Sequence, residues 1–511
     1  METIEEQPKK EYVLKPVADK NRIQVMDLLR GFALIGIIFM NIEWFNRPVS
    51  DLLSFDFSQT GGDWAASWLV KVFIEGKFYK LFSIIFGMGF AVMLLNAQQA
   101  GRPFGAWFTR RMLALFVFGM LHMVFLWGGD ILHDYAVAGL YLLGFVALLN
   151  TKRLAKYNHP RTFVKVGFTL VLLPLVISLV AAIVYGSIRS SEEVTTKWQQ
   201  RAEVVETSDR LLAEFKASQA FLDISYKDET PELVNNEAVL EETVEQESVQ
   251  SKAELNGEVT DDTEEELSPE EVIALQVEER FEYKKNHAIE IEKESQVFKE
   301  ASFWETTQYR YQSTLDSLAN TFGMAFFICL PLFMMGYWLV ASERLTKPEE
   351  HTGFFNVLCW GGLGLGIILN VSSVLIMLHP AAQEVDDIQM VTINLFFYSE
   401  YVLCFGYIGL FVKLVKKAWF IKSFSWLSLL GKMALTNYIS HSIILTSIFY
   451  GYAGGMFGEI GRVEQIGIAV LILFVQVLLC KVWLTYFRFG PLEWLWRSIT
   501  YLKLQPLMVS K

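Results

Sequence analysis

Cysteine is scarce in this 511-residue chain: Cys329, Cys359, Cys404 and Cys480 stand far apart, each in an apolar stretch. No CxxC pair occurs, which excludes a disulfide framework, and the four read as small buried hydrophobes. An early apolar run is also missing. The first begins near residue 28, behind a charged tail without a cleavage site, so no cleavable signal peptide is expected. No basic stripe interleaved with aromatics appears, which argues against nucleic acid as a partner. There is no solenoid-type repeat. Gly87 and Gly89 lack the strand–helix setting of a phosphate loop and read as packing glycines.

What is abundant is apolar sequence in long blocks. The chain is 52% hydrophobic with a mean hydropathy of +0.31. That average is only modestly high, but runs of about eighteen or more apolar residues recur, and such runs read as membrane spans. Ten are expected, at 28–45, 72–95, 108–127, 131–149, 163–187, 316–341, 354–378, 391–414, 428–450 and 465–487. The second carries Glu75, Lys77 and Lys80 in its first half, so it begins as an interfacial helix or enters at a tilt. The fold class that follows is an all-α polytopic transmembrane helix bundle of about ten spans in a lipid bilayer.

Charge is divided unevenly. Residues 191–300 hold 31 acidic and 11 basic residues, a net of −20, against −12 for the whole chain. The remainder is therefore mildly basic, at +8. Its bases gather in alternate loops: Arg22 and its neighbours before the first span, then Arg102, Arg110 and Arg111, then Lys152, Arg153 and Lys156, then Arg344 and Lys347, then Lys416 and Lys417, and finally Arg488 and Arg497. The other loops carry Asp51, Asp56, Asp63, Asp130, Asp134, Asp386 and Asp387. Bases favour the cytoplasmic face. Both termini are therefore expected in the cytoplasm of a multi-pass plasma-membrane protein.

The expected organisation is a cytoplasmic tail (1–27), a first membrane half (28–187), an acidic extracytoplasmic insertion (188–312), a second membrane half (313–487) and a cytoplasmic tail (488–511). Helical arms are expected at the insertion's ends, with a disordered middle near 225–267. The insertion is a solvated spacer on this reading, with a docking role for a protein partner at residues 191–310 as the alternative.

Ionisable groups within a bilayer are costly, so each raises a functional question. Asp27 and Arg30 open the first span on one helix face and can pair, and Arg30 can also hold a phosphate. Asn41 lies near the other end of that span. His122 lies about 7–8 Å below the outer end of the third span, with Asp130 beyond two glycines. A His beside a carboxylate can act as an oriented general base, or can simply bond between helices. His133 with Asp130 and Asp134 makes a weak metal set, and no metal is assigned. In the ninth span Asn437 and His441 stack on one face near Lys432, a stripe suited to interhelical bonding. Glu400 is a buried acid with Lys432 or His441 as its expected partner.

Five blocks carry a resemblance: residues 27–41 (DLLRGFALIGIIFMN), 75–90 (EGKFYKLFSIIFGMGF), 119–139 (GMLHMVFLWGGDILHDYAVAG), 431–438 (GKMALTNY) and 490–497 (GPLEWLWR). Together they resemble the YeiB-like family of bacterial membrane proteins, and the acidic insertion is not part of the likeness. The start of the chain also resembles, more distantly, the integral-membrane acyltransferase superfamily, which includes heparan-α-glucosaminide N-acetyltransferase and bacterial enzymes that modify surface sugars. That likeness implies a cytoplasmic acyl donor such as acyl-CoA as co-substrate, a basic inner site for it, and an envelope glycan or small molecule as acceptor outside. Many bacterial members place an essential His where this chain has Asn41. The base then comes from elsewhere, with His122 as the candidate, Asp130 orienting it, Asn41 donating to the oxyanion, and Arg30 with Asp27 at the donor site. The rival expectations are a secondary transporter using His122, Glu400 and Asn437, and a non-catalytic membrane scaffold.

Overall fold

A computed structural model describes residues 24–48, 59–188, 191–227, 268–377 and 386–509. The tail before residue 24, Asp51 and Asp56, and the expected disordered middle of the insertion from 228 to 267 lie outside the described residues. Among the described residues the regular structure is helical, apart from one isolated bridge between Phe487 and Met508. The chain divides into two compact units, 1–189 with 298–511, and 190–297.

Among the described residues of the first unit, nine helical stretches are long and apolar enough to cross a bilayer: Val25–Phe45, Gly61–Gln99, Gly105–Phe125, Leu132–Leu149, Pro160–Ser178, Asn320–Ala341, Thr352–Met377, Val391–Val415 and Arg462–Tyr486. They establish an all-α polytopic bundle. The helices that matter to the site are α1 (Gln24–Phe45), α2 (Gly61–Phe73), α3 (Lys77–Gln99), α4 (Gly105–Phe125), α5 (Leu132–Leu149), α6 (Phe303–Gly323), α7 (Leu330–Ala341), α8 (Asp386–Val415), α9 (Trp426–Lys432), α10 (Ala434–Phe449), α11 (Arg462–Tyr486) and α12 (Pro491–Tyr501).

Two expected spans differ in form. The second divides into α2 and α3 at residues 74–76, just where its charges lie. The ninth, expected over 428–450, is two helices, α9 and α10, broken at Met433. At 16 residues α10 is about 24 Å long, short of the roughly 30 Å hydrocarbon core. The break has a physical cause. The Glu493 carboxylate on α12 accepts the backbone N–H of Leu435 at 2.6 Å and of Thr436 at 3.1 Å, and the Thr436 hydroxyl at 2.6 Å. An acid that satisfies unpaired N–H groups fixes a helix start there.

The helices pack through small residues, as membrane interfaces do. Where α3 crosses α7, a Cβ on Gly87 would fall 2.1 Å from the Phe333 carbonyl oxygen, and one on Gly336 would fall 2.0 Å from that of Ile84. The rings of Phe86 and Phe333 stack at 4.7 Å beside this crossing. At the far end of α4, buried Arg310 on α6 donates to the carbonyls of Val124 (3.1 Å), Phe125 (3.1 Å) and Leu126 (2.8 Å). One guanidinium thus satisfies three terminal acceptors and places a cation at the negative end of the helix dipole.

The second unit pairs the helices Ser191–Lys216 and Pro269–Glu300. Arg280 Nε donates to Ser208 Oγ at 3.0 Å, Lys284 pairs with Asp209, Lys285 lies 5.8 Å from the Phe215 ring, and Gln296 donates to the Ile224 carbonyl at 2.8 Å. Both sets of numbers rise together, so the two segments run in the same direction. No short turn joins such a pair. The return from residue 296's level to residue 269 is about 40 Å at 1.5 Å per residue, which residues 228–267 are long enough to cover.

Candidate functional site

A cavity of about 1480 Å³ opens among α1, α3, α4, α9, α10 and α12. Its wall carries Arg30, Arg102, Arg111, Lys432, Lys481, Arg488, Arg497 and Lys503 against two acids, Asp27 and Glu493. Neither acid is a free counter-charge. Asp27 lies 3.2 Å from the Arg30 guanidinium, and Glu493 is spent on the start of α10. Burial pushes the Glu493 carboxyl above its usual range, opposed by the donors of Thr436 and Leu435. Aromatic rings hold two of the cations in place: Arg111 lies 3.5 Å from the Trp496 ring centre and Arg497 4.4 Å from that of Phe489. The cavity therefore presents a concentrated positive potential, suited to a ligand with several anionic groups. Arg102, Arg111, Arg488 and Arg497 belong to the base-rich stretches of the sequence, while Arg30, Lys432 and Lys481 stand on α1, α9 and α11.

The apolar end of the same cavity is formed by Ile131, Leu132, Tyr135 and Tyr438. Beyond Tyr438 lies the buried group built on His122. Its Nδ1 is 2.9 Å from Asp130 Oδ1, in an oblique approach outside hydrogen-bond geometry. Its Nε2 is 2.7 Å from Ser442 Oγ. The Tyr438 hydroxyl donates to Asp130 Oδ1 at 3.2 Å, and its ring centre is 5.3 Å from that of His122.

Local sequence explains how Asp130 is held. The turn at residues 127–131 delivers it to the start of α5, where Oδ2 accepts the N–H of Leu132 (2.8 Å) and of His133 (3.3 Å). Gly119 on α4 permits the approach, since a Cβ there would fall 2.5 Å from the His133 nitrogen and 2.7 Å from Asp130 Oδ2. Burial pushes the Asp130 carboxyl up, but the His122 and His133 imidazoles beside it outweigh that and hold it down at about 2. Asp130 is thus ionised at neutral pH, with His122 Nδ1 beside it.

The other candidates fall into separate places. Asn41 is buried, and among the described residues no hydrogen bond joins it to the His122 group. Lys432 is on the cavity wall. His441 Nε2 is 2.7 Å from Gln476 Oε1, and the Asn437 amide donates to Leu430 O at 3.2 Å, so both bond within and between α9, α10 and α11. Glu400 does not pair with Lys432 or His441. Its partners are Lys80, in direct contact, and Lys77 at 3.9 Å, both fully buried. The two lysines in the first half of the second expected span are thus the counter-ions of the acid in the eighth. Sequence reasoning singled out neither Ser442 nor Tyr438 as a site residue. The signal was present, since they stand four apart on α10 and share a face.

The class defined by these features is a polytopic α-helical membrane protein with a base-lined cavity and a buried His–carboxylate group behind its apolar end. Residues 339–503 match the family described as "Protein of unknown function (DUF418)". The chain is 27% identical to the uncharacterized protein YxaH of Bacillus subtilis (strain 168), over 97% of this chain and 98% of that one. It is 22% identical to the uncharacterized protein YeiB of Escherichia coli (strain K12), over 93% and 95% of the two chains. No solved structure matches. This similarity along nearly the whole length agrees with the resemblance of the five sequence blocks, two of which, at 431–438 and 490–497, lie in the matched family region.

Proposed function

We propose that this protein is a membrane-bound acyltransferase. It takes an acyl group from a phosphate-bearing thioester such as acyl-CoA at the base-lined end, and delivers it to a small-molecule or envelope-glycan acceptor that enters from the other end. The observation that carries this reading is the cavity: cations such as Arg30, Arg111 and Arg497 line it, and Tyr438, at its apolar end, bonds to the carboxylate that orients His122. In this reading Arg30 makes charge-assisted bonds to the carrier's phosphates. His122 is the general base and Asp130 holds its tautomer. Asn41 is given no role, because it is not on the cavity wall and, among the described residues, no hydrogen bond joins it to the His122 group. The transporter alternative has less support than the sequence offered it, since Glu400 is engaged with Lys80 and Lys77, and Asn437 with the Leu430 carbonyl.

The test is to give the purified protein acetyl-, butyryl- and palmitoyl-CoA labelled in the acyl group, and to follow free thiol and acyl transfer. Thioester consumption is expected, and Arg30→Ala raises the KM for it by about 10–100-fold, the worth of a charge-assisted hydrogen bond. Gradient-driven solute uptake in proteoliposomes without thioester consumption overturns the reading.

The same proposal sets the orientation: the base-lined end and both termini face the cytoplasm of a bacterial plasma membrane, and residues 191–310 face outward. The four native cysteines are buried, so introduced ones report cleanly. In intact cells an impermeant thiol reagent is expected to label Glu278→Cys and to spare Thr151→Cys. The reverse pattern refutes this topology.

A further inference from the structure

We propose that Ser442 is a catalytic nucleophile that carries the acyl group as a serine ester between donor and acceptor. This rests on the acyltransferase reading and adds to it a covalent intermediate and the residue that bears it.

The first argument is the order of the three groups. Asp130 Oδ1 lies 2.9 Å from His122 Nδ1, and Ser442 Oγ lies 2.7 Å from His122 Nε2. Nδ1 faces a carboxylate, which can only accept, so the proposed mechanism puts the imidazole proton on Nδ1 and leaves the lone pair of Nε2 to face the Ser442 hydroxyl. That is the arrangement by which an imidazole withdraws a proton from an attacking serine.

The second argument comes from the neighbours of Ser442 on α10. Ser440 donates to the Asn437 carbonyl at 2.9 Å, Thr446 to that of Ile443 at 3.2 Å, and Ser447 to that of Ile443 at 2.7 Å. Each satisfies itself on its own helix, as hydroxyls in apolar helices usually do. Ser442 instead commits its hydroxyl to the imidazole, although it is only 1% exposed.

Access comes from the cavity. Tyr438 is on its wall, and Ser442 is four residues further on, one turn or about 6 Å along the same face. The acyl end of a donor whose phosphates sit among the cations reaches Ser442 by displacing the Tyr438 ring. Ser442 Oγ then attacks the thioester carbonyl carbon. The new C–O bond forms, the C–S bond breaks, and the serine proton passes through His122 Nε2 to the leaving thiolate. An acceptor hydroxyl or amine next attacks the ester. His122 takes its proton and returns it to Ser442 Oγ. The sum is thioester plus acceptor giving thiol plus acylated acceptor, with the enzyme unchanged. Donor and acceptor need never be bound together, which suits substrates that arrive from opposite ends.

The experiment incubates the full-length protein with the three acyl-labelled CoA thioesters without acceptor, then quenches in acid and maps label by peptide mass spectrometry. Label is expected on Ser442, released by mild alkali and resistant to neutral hydroxylamine. Ser442→Ala abolishes the label and lowers transfer by a factor on the order of 10² or more while keeping the wild-type melting temperature. Ser442→Cys, a near-isosteric change, moves the label into a thioester that neutral hydroxylamine cleaves, which a merely structural serine would not do. If Ser442→Ala transfers acyl groups as fast as the wild type, or the label maps elsewhere, Ser442 is not the nucleophile and the acyltransferase reading survives. If the wild type consumes no thioester at all, both fall.

Discussion

Replacing His122 by alanine is expected to lower acyl transfer by about 10²–10⁴-fold, the usual worth of a general base, while the protein remains inserted and folded. The fold tolerates the change because its neighbours keep other partners. Asp130 still accepts from Leu132, His133 and Tyr438, and the Ser442 hydroxyl is free to turn back to its own helix as Ser440 does. His441 supplies the control, since it is just as buried, at 2% exposure, and lies on the same helix as Ser442. Among the described residues its side-chain hydrogen bond is to Gln476, so His441→Ala lowers the melting temperature and leaves the rate unchanged. Initial rates with a labelled thioester, taken beside thermal melts in detergent, separate the two. Equal loss of rate in both variants, tracking the loss of stability, shows that His122 only holds helices together.

Glu400→Gln carries the largest expected cost in stability, about 3–5 kcal/mol, because it strands buried charge. The carboxylate lies between the Lys80 and Lys77 ammonium groups, which have aromatic rings as further neighbours: Phe397 4.3 Å from Lys80 and Phe396 4.8 Å from Lys77. Lys80→Met is expected to cost less, since Glu400 then keeps Lys77 and an apolar chain fills the space. Thermal or denaturant unfolding in one detergent ranks the two. If Glu400→Gln melts no lower than Lys80→Met, the acid is not what neutralises this cluster.

These residues also mark what could be read from sequence. Asp27 with Arg30, and His122 with Asp130 across one turn, are local relations, and helix geometry or a short loop makes them legible. The partner of Glu400 is 320 residues away, and helical periodicity says nothing about which spans touch. Lys77 and Lys80 read as blemishes in a span until the eighth supplied their counter-ion. The break at Met433 was hidden for the same reason, since a carboxylate on α12 sets it. Ser442 could be placed on a polar face, but only the packing of α10 against α4 gives its hydroxyl an imidazole. Apolar runs located nine spans because hydropathy is a local property. The cavity was not legible, because its cations come from helices and loops scattered along the whole chain.

The glycine crossing of α3 on α7 has a consequence for biosynthesis. Gly87 is made early and Phe333, whose carbonyl fills the space above it, much later. At about 5–20 residues per second, the ribosome needs on the order of 10–50 s to make the roughly 250 residues between them. Glu400 follows later still. During that interval α3 is in place with an empty groove and two ammonium groups that have yet to meet their acid. The nascent first half must therefore be sheltered, by the insertion machinery or by water at the membrane edge, until the second half arrives to complete it.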